Sequence, residues 1–104
     1  QQGRTMINRS QEIVLSVVRA LWGEVWPSYR AVMCRVHGDE AFDIEVIVDG
    51  RITDKMRESV SCIEAEVLAD FPPDVIVGSK LIRLDAPRPI EVGDALLIFL
   101  RREV

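Results

Sequence analysis

The sequence predicts an α+β fold: a two-layer sandwich of two helices over a mostly antiparallel four-stranded sheet, in the order α-β-β-α-β-β. Three observations carry this reading. Apolar residues recur at helical spacing in two stretches, residues 8–22 and 54–71. Two strand-like runs around a short Gly-Asp-Glu turn lie between them. Two further apolar runs, 75–84 and 95–101, close the chain.

With 104 residues, 48% hydrophobic and 29% charged, the chain suits one folded domain with a single core and lies outside the composition of disorder. The opening QQGRT, residues 1–5, has no pattern and reads as a remnant of tag removal, leaving residues 6–104 as the domain. No apolar run reaches the roughly 18 residues of a membrane span, and no cleavable leader is visible, so the cytoplasm is the expected location.

The first helix places Val14, Val17, Val18 and Leu21 on one face, with Ile13 and Trp22 beside them. Asn8 with Gln11, or Ser10, offers an N-cap, Gly23 a left-handed stop, and Pro27 blocks continuation. YRAVMCRVH (29–37) and AFDIEVIV (41–48) then read as a hairpin.

In the second strand Phe42, Ile44, Val46 and Val48 alternate with Asp43, Glu45, Ile47 and Asp49, which predicts one buried and one wet, acidic face. A turn centred on Glu40 sets Arg35 opposite Glu45 and His37 opposite Asp43.

Thr53 or Asp54 caps the second helix, whose stripe is Met56, Val60, Ile63, Val67 and Phe71 before Pro72 and Pro73 end it. The last two runs are apolar on both faces of a strand, which suggests central positions in the sheet; the Pro- and Gly-containing segment between them is irregular.

The charge is uneven. From Asp39 to Asp74 there are eleven acids and three bases, a net −8, whereas the rest of the chain is +4 and the total −4. Such a balance disfavours nucleic acid or an anionic membrane as partner and favours a basic protein. The candidate partner-binding residues are Asp43, Glu45, Ile47 and Asp49 on the second strand, with Glu58, Glu64 and Glu66 on the second helix. For any one of these acids the plainer reading is a solvated surface position; only the sum argues for more. Trp26 is a possible aromatic anchor but fits better as a lid on the core.

Catalytic chemistry finds little support. Cys34 and Cys62 read as buried free thiols rather than a disulfide. A thiol enzyme would need Cys62 activated by the only histidine, His37, with Glu58 or Glu66 orienting it, yet the surrounding carboxylates oppose a thiolate. Neither zinc spacing, a calcium loop nor a phosphate-binding glycine motif occurs, so no metal and no cofactor is expected.

Three segments, RSQEIVLSVVRALWGEVWPSYRAV (9–32), ESVSCIEAEVLADFP (58–72) and IFLRRE (98–103), resemble small bacterial immunity proteins of contact-dependent growth inhibition and polymorphic toxin systems. The resemblance spans most of the chain and implies a non-catalytic protein. Its implied partner is the C-terminal domain of a cognate toxin, often a nuclease and so expected to be basic, held one to one. Contact residues do not transfer between such proteins, because their binding surfaces diverge to tell partners apart. The other reading is a structural or oligomerising α+β module with no toxin partner; nothing in the sequence specifies a homo-oligomer.

Overall fold

The computed structural model describes residues 6–38 and 40–103, and of residues 6–8 the backbone alone. Residues 1–5 and Asp39 therefore lie outside the described residues. The elements are α1 (Met6–Ala20), β1 (Tyr29–His37), β2 (Ala41–Val48), α2 (Asp54–Ala69), β3 (Ile76–Arg83) and β4 (Leu96–Leu100), the predicted α-β-β-α-β-β order.

The sheet order is β3-β2-β1-β4. β1 pairs antiparallel with β2 and with β4, while β2 and β3 run parallel because the chain returns through α2. This corrects the central placing of the last two strands: β3 and β4 are the edges. Their connection must cross the sheet, and it does so over the face opposite the helices, packing Leu84, Ile90, Val92 and Ala95 on Ala31, Met33 and Ile47. The crossing segment thus covers the two central strands on that face, while the apolar residues of the edge strands there, Ile82, Leu97 and Leu100, are left open.

The main core joins Ile13 and Val17 of α1, Val32 and Cys34 of β1, Phe42, Ile44, Val46 and Val48 of β2, and the whole expected α2 stripe. Thr53 is the α2 cap, its Oγ1 accepting from the Met56 N–H at 3.2 Å. Gly23 adopts φ +79° just past α1, the left-handed stop foreseen from its position. Trp26 packs against the core and donates Nε1–H to Ser59 Oγ at 3.0 Å, which ties the connector to α2.

Four expectations change. α1 is rotated: Ile13, Ser16, Val17, Ala20 and Leu21 are buried, whereas Val14 and Val18 are half-buried and Trp22 is 72% exposed. Asn8 and Ser10 lie inside α1 and do not begin it. His37 faces Ala41, so the hairpin is centred one residue earlier, and Asp43 rather than Glu45 stands directly opposite Arg35. Of the two thiols, only Cys34 is buried; Cys62 is exposed, because the α2 stripe turns it outward.

Candidate functional site

The helix-free face of the sheet is built from alternate residues of all four strands. Across it Ile82, Ile47, Ala31 and Leu100 form one row, and Lys80, Glu45, Met33 and Leu97 the next. Gly78, Asp43 and Arg35 form a third. Ile82, Leu97 and Leu100 stay exposed, at 36%, 43% and 58%.

Between the sheet and the crossing segment lies a hollow of about 380 Å³. Met33, Glu45, Ile47 and Ile82 line it from the sheet, and Leu84 with residues Arg88, Pro89, Ile90 and Glu91 from the segment. An apolar floor beside a few charged groups is the make-up of a side-chain pocket at a protein interface.

The acids of β2 do not form the open negative face that alternation predicts. Glu45 is only 7% exposed, and accepts from Arg35 Nε at 3.2 Å and Nη2 at 3.4 Å. Ile47, at 5% exposed, is likewise covered by the crossing segment. Asp43 lies 2.9 Å from His37 Nε2 and 3.6 Å from Lys80 Nζ. It rests over Gly78, where any Cβ would collide with Asp43 Oδ1. Asp49, at the end of β2, accepts from Arg101 Nη2 at 3.2 Å and from the Ala86 N–H at 3.3 Å.

The α2 acids belong to the other layer and diverge. Glu64 accepts from Ser79 Oγ on β3. Glu66 lines a hollow toward α1 with Ser16, Arg19 and Asp70, and Glu58 points to solvent. Asp70 is held below the usual carboxylate range, first by the Ser16 hydroxyl and then by Arg19. The structure therefore brings Asp43, Glu45 and Ile47 together, sets Asp49 at their margin, and leaves Glu58, Glu64 and Glu66 on the opposite layer. Ile82, Leu97, Leu100 and Arg88 join the face without having been singled out from sequence. The signal for the first three was present as apolar residues on both sides of β3 and β4, which an edge strand leaves exposed on its uncovered face.

The grouping of Cys62 with His37 does not assemble. His37 lies on the helix-free face beside Asp43, and Cys62 lies on the outer side of α2, which packs on the other face. Among the described residues no three His, Cys, Asp or Glu side chains converge as a metal site, and no helix is long and apolar enough to cross a membrane.

A family model described as MafI2 immunity protein matches residues 10–103, nearly the whole domain. The chain belongs to that family. No match is found among curated proteins. The MafI2 immunity protein family agrees with the resemblance seen in the sequence and supports a toxin-neutralising immunity role for the fold described above.

Proposed function

We propose that this MafI2-family chain neutralises a cognate toxin by docking the helix-free sheet face onto the toxin's C-terminal domain. The observation that carries the placement is the exposure of Ile82, Leu97 and Leu100 on the same sheet face as the hollow floored by Met33 and Ile47, which Ile82 borders. Stable interfaces need an apolar centre into which a partner side chain can sit, with polar groups at the rim. Here Asp43, Lys80, Arg88, Glu91 and Asp94 supply that rim.

The partner we infer is a basic domain, a nuclease of a contact-dependent or related polymorphic toxin system, met in the cytoplasm and bound one to one. A phosphate-gripping enzyme presents positive charge, and the net charge of −4 favours encounter with it. Glu58, Glu64 and Glu66, remote from the docking face, act in this reading through the long-range field; Asp49 acts at the margin.

Isothermal titration of the toxin domain encoded beside this gene tests the proposal. Ile82→Glu is expected to weaken binding about tenfold or more, while Glu66→Lys slows association and reduces its salt dependence with a smaller change in Kd. Wild-type affinity in both Ile82→Glu and Leu97→Glu would refute the face, and absence of binding by the wild-type chain would refute the partner.

A further inference from the structure

Gly78 lies inside β3, where a glycine weakens the strand and usually marks a bulge, a special backbone angle or the close approach of another group. There is no bulge: the ladder to β2 runs from the Ala41 and Ile76 pair to the Val48 and Arg83 pair with no shift of register. The left-handed φ of Gly23, Gly38, Gly50 and Gly93 does not occur at Gly78, so its backbone conformation is open to alanine. What remains is space. A Cβ at Gly78 would collide with Asp43 Oδ1 and come within 3.6 Å of Asp43 Cγ.

The glycine therefore decides where one carboxylate lies. Asp43 Oδ2 is held from two strands, by His37 Nε2 of β1 at 2.9 Å and by Lys80 Nζ of β3 at 3.6 Å. Asp43 Oδ1, over the gap, accepts no hydrogen bond from any described residue. It is not among the buried side-chain atoms left without a partner, which are Arg9 Nε and Nη1 and the Tyr29 hydroxyl, so it reaches solvent. One oxygen is fixed and the other is presented, on the helix-free face and one row from Glu45 and the hollow.

We infer that Gly78 is a positioning residue for partner recognition: its gap sets Asp43 as the acceptor for one lysine or arginine side chain of the toxin domain. This rests on the docking reading above and names the chemistry of one contact within it. A carboxylate oxygen only accepts, so its occupant is a donor. Apart from His37, the charged side chains around Asp43 and the hollow are Asp43, Glu45, Glu91 and Asp94 against Arg35, Lys80 and Arg88, an acidic excess that favours a cationic donor. Because His37 and Lys80 already order Asp43, little freedom is lost when the partner arrives, and a weaker strand is offset by a tighter contact.

A double-mutant cycle, read by isothermal titration of the toxin domain encoded beside this gene and by urea melts of the free chain, tests the assignment. The atom a new Cβ meets is the tip of a flexible side chain, so Gly78→Ala displaces the carboxylate and not the strand. Its urea midpoint should equal or exceed that of wild type, yet its Kd for the toxin should rise about tenfold, as should that of Asp43→Ala. With Asp43→Ala already in place, Gly78→Ala should change the Kd no further, because it acts only through Asp43. A Gly78→Ala chain with wild-type affinity would overturn the inference. So would a loss that persists in the Asp43→Ala background, or a lowered urea midpoint, which would make the glycine a matter of folding. Ile82→Glu in the same titration separates the two readings. If it weakens binding while Gly78→Ala does not, the docking face stands and this inference falls; if neither does, both fall.

Discussion

Arg35 reaches past its direct neighbour Asp43 and holds Glu45, two positions farther along β2, through contacts of 3.2 and 3.4 Å. The same guanidinium contacts Asp94 at 3.3 Å and the Val92 carbonyl at 3.4 Å, so one side chain ties β1, β2 and the crossing segment together. His37 repeats the diagonal on Asp43.

Removing Arg35 leaves a carboxylate that is 7% exposed without its cation. Arg35→Ala is expected to lower the unfolding free energy by about 1 to 3 kcal/mol. Adding Glu45→Leu should recover most of that loss, since an apolar replacement removes the stranded charge. Urea melts of the two variants check this; a single variant within about 0.5 kcal/mol of wild type would contradict it.

Glu103 gives a pH dependence of known sign. Arg30, 2% exposed, donates Nε–H and Nη2–H to its two oxygens at 2.7 and 2.9 Å. That bidentate contact, with Arg101 adding to it, pulls the carboxyl from its ordinary 4.5 down to about 2. A folded-state pKa below the unfolded one adds stability above about pH 4.5, which is lost as pH falls toward 2. Glu103→Gln should therefore be less stable than wild type near pH 6, with the gap closing near pH 2. Urea midpoints at several pH values measure the gap. Asp70 and Asp85, also held low, weaken both proteins alike in the same range.

The two thiols should separate cleanly by reactivity. Burial, then the nearby Glu45, pushes the Cys34 thiol up to about 12, whereas Cys62 stands exposed on α2. Iodoacetamide near pH 8 should label Cys62 alone in the native protein, and both after denaturation. Peptide mass spectrometry reads the sites; native labelling of Cys34 would contradict its burial.

The start of α2 rests on one hydroxyl. Thr53→Ala removes the acceptor of the Met56 N–H and is expected to cost about 1 kcal/mol, with Thr53→Ser restoring most of it. Thermal melts compare the three proteins, and an unchanged midpoint for Thr53→Ala would show the cap to be idle.

Local patterns carried the elements and part of the core. The spacing of Met56, Val60, Ile63, Val67 and Phe71 placed the buried face of α2, and alternation from Phe42 to Val48 placed the core face of β2. Gly23 and Thr53 marked a helix stop and a helix start because their chemistry acts within a turn. Such features depend on neighbours a few residues apart, which the order of amino acids already states.

Strand order was not legible in this way. Apolar residues on both faces suit a central strand and equally an edge strand that meets helices on one side and leaves apolar side chains open on the other, as β3 and β4 do with Ile82, Leu97 and Leu100. The number of acids in the middle of the chain was legible, and so were two of their partners, Arg35 for Glu45 and His37 for Asp43, from a hairpin centred one residue off; Lys80 and Arg101 were not. Arg35, His37 with Lys80, and Arg101 answer Glu45, Asp43 and Asp49 through diagonal and cross-element contacts that arise only once the strands have paired. Electrostatic energy falls with distance in space, not with separation along the chain, so only folding settled which charges are matched within the molecule and which stay open to solvent.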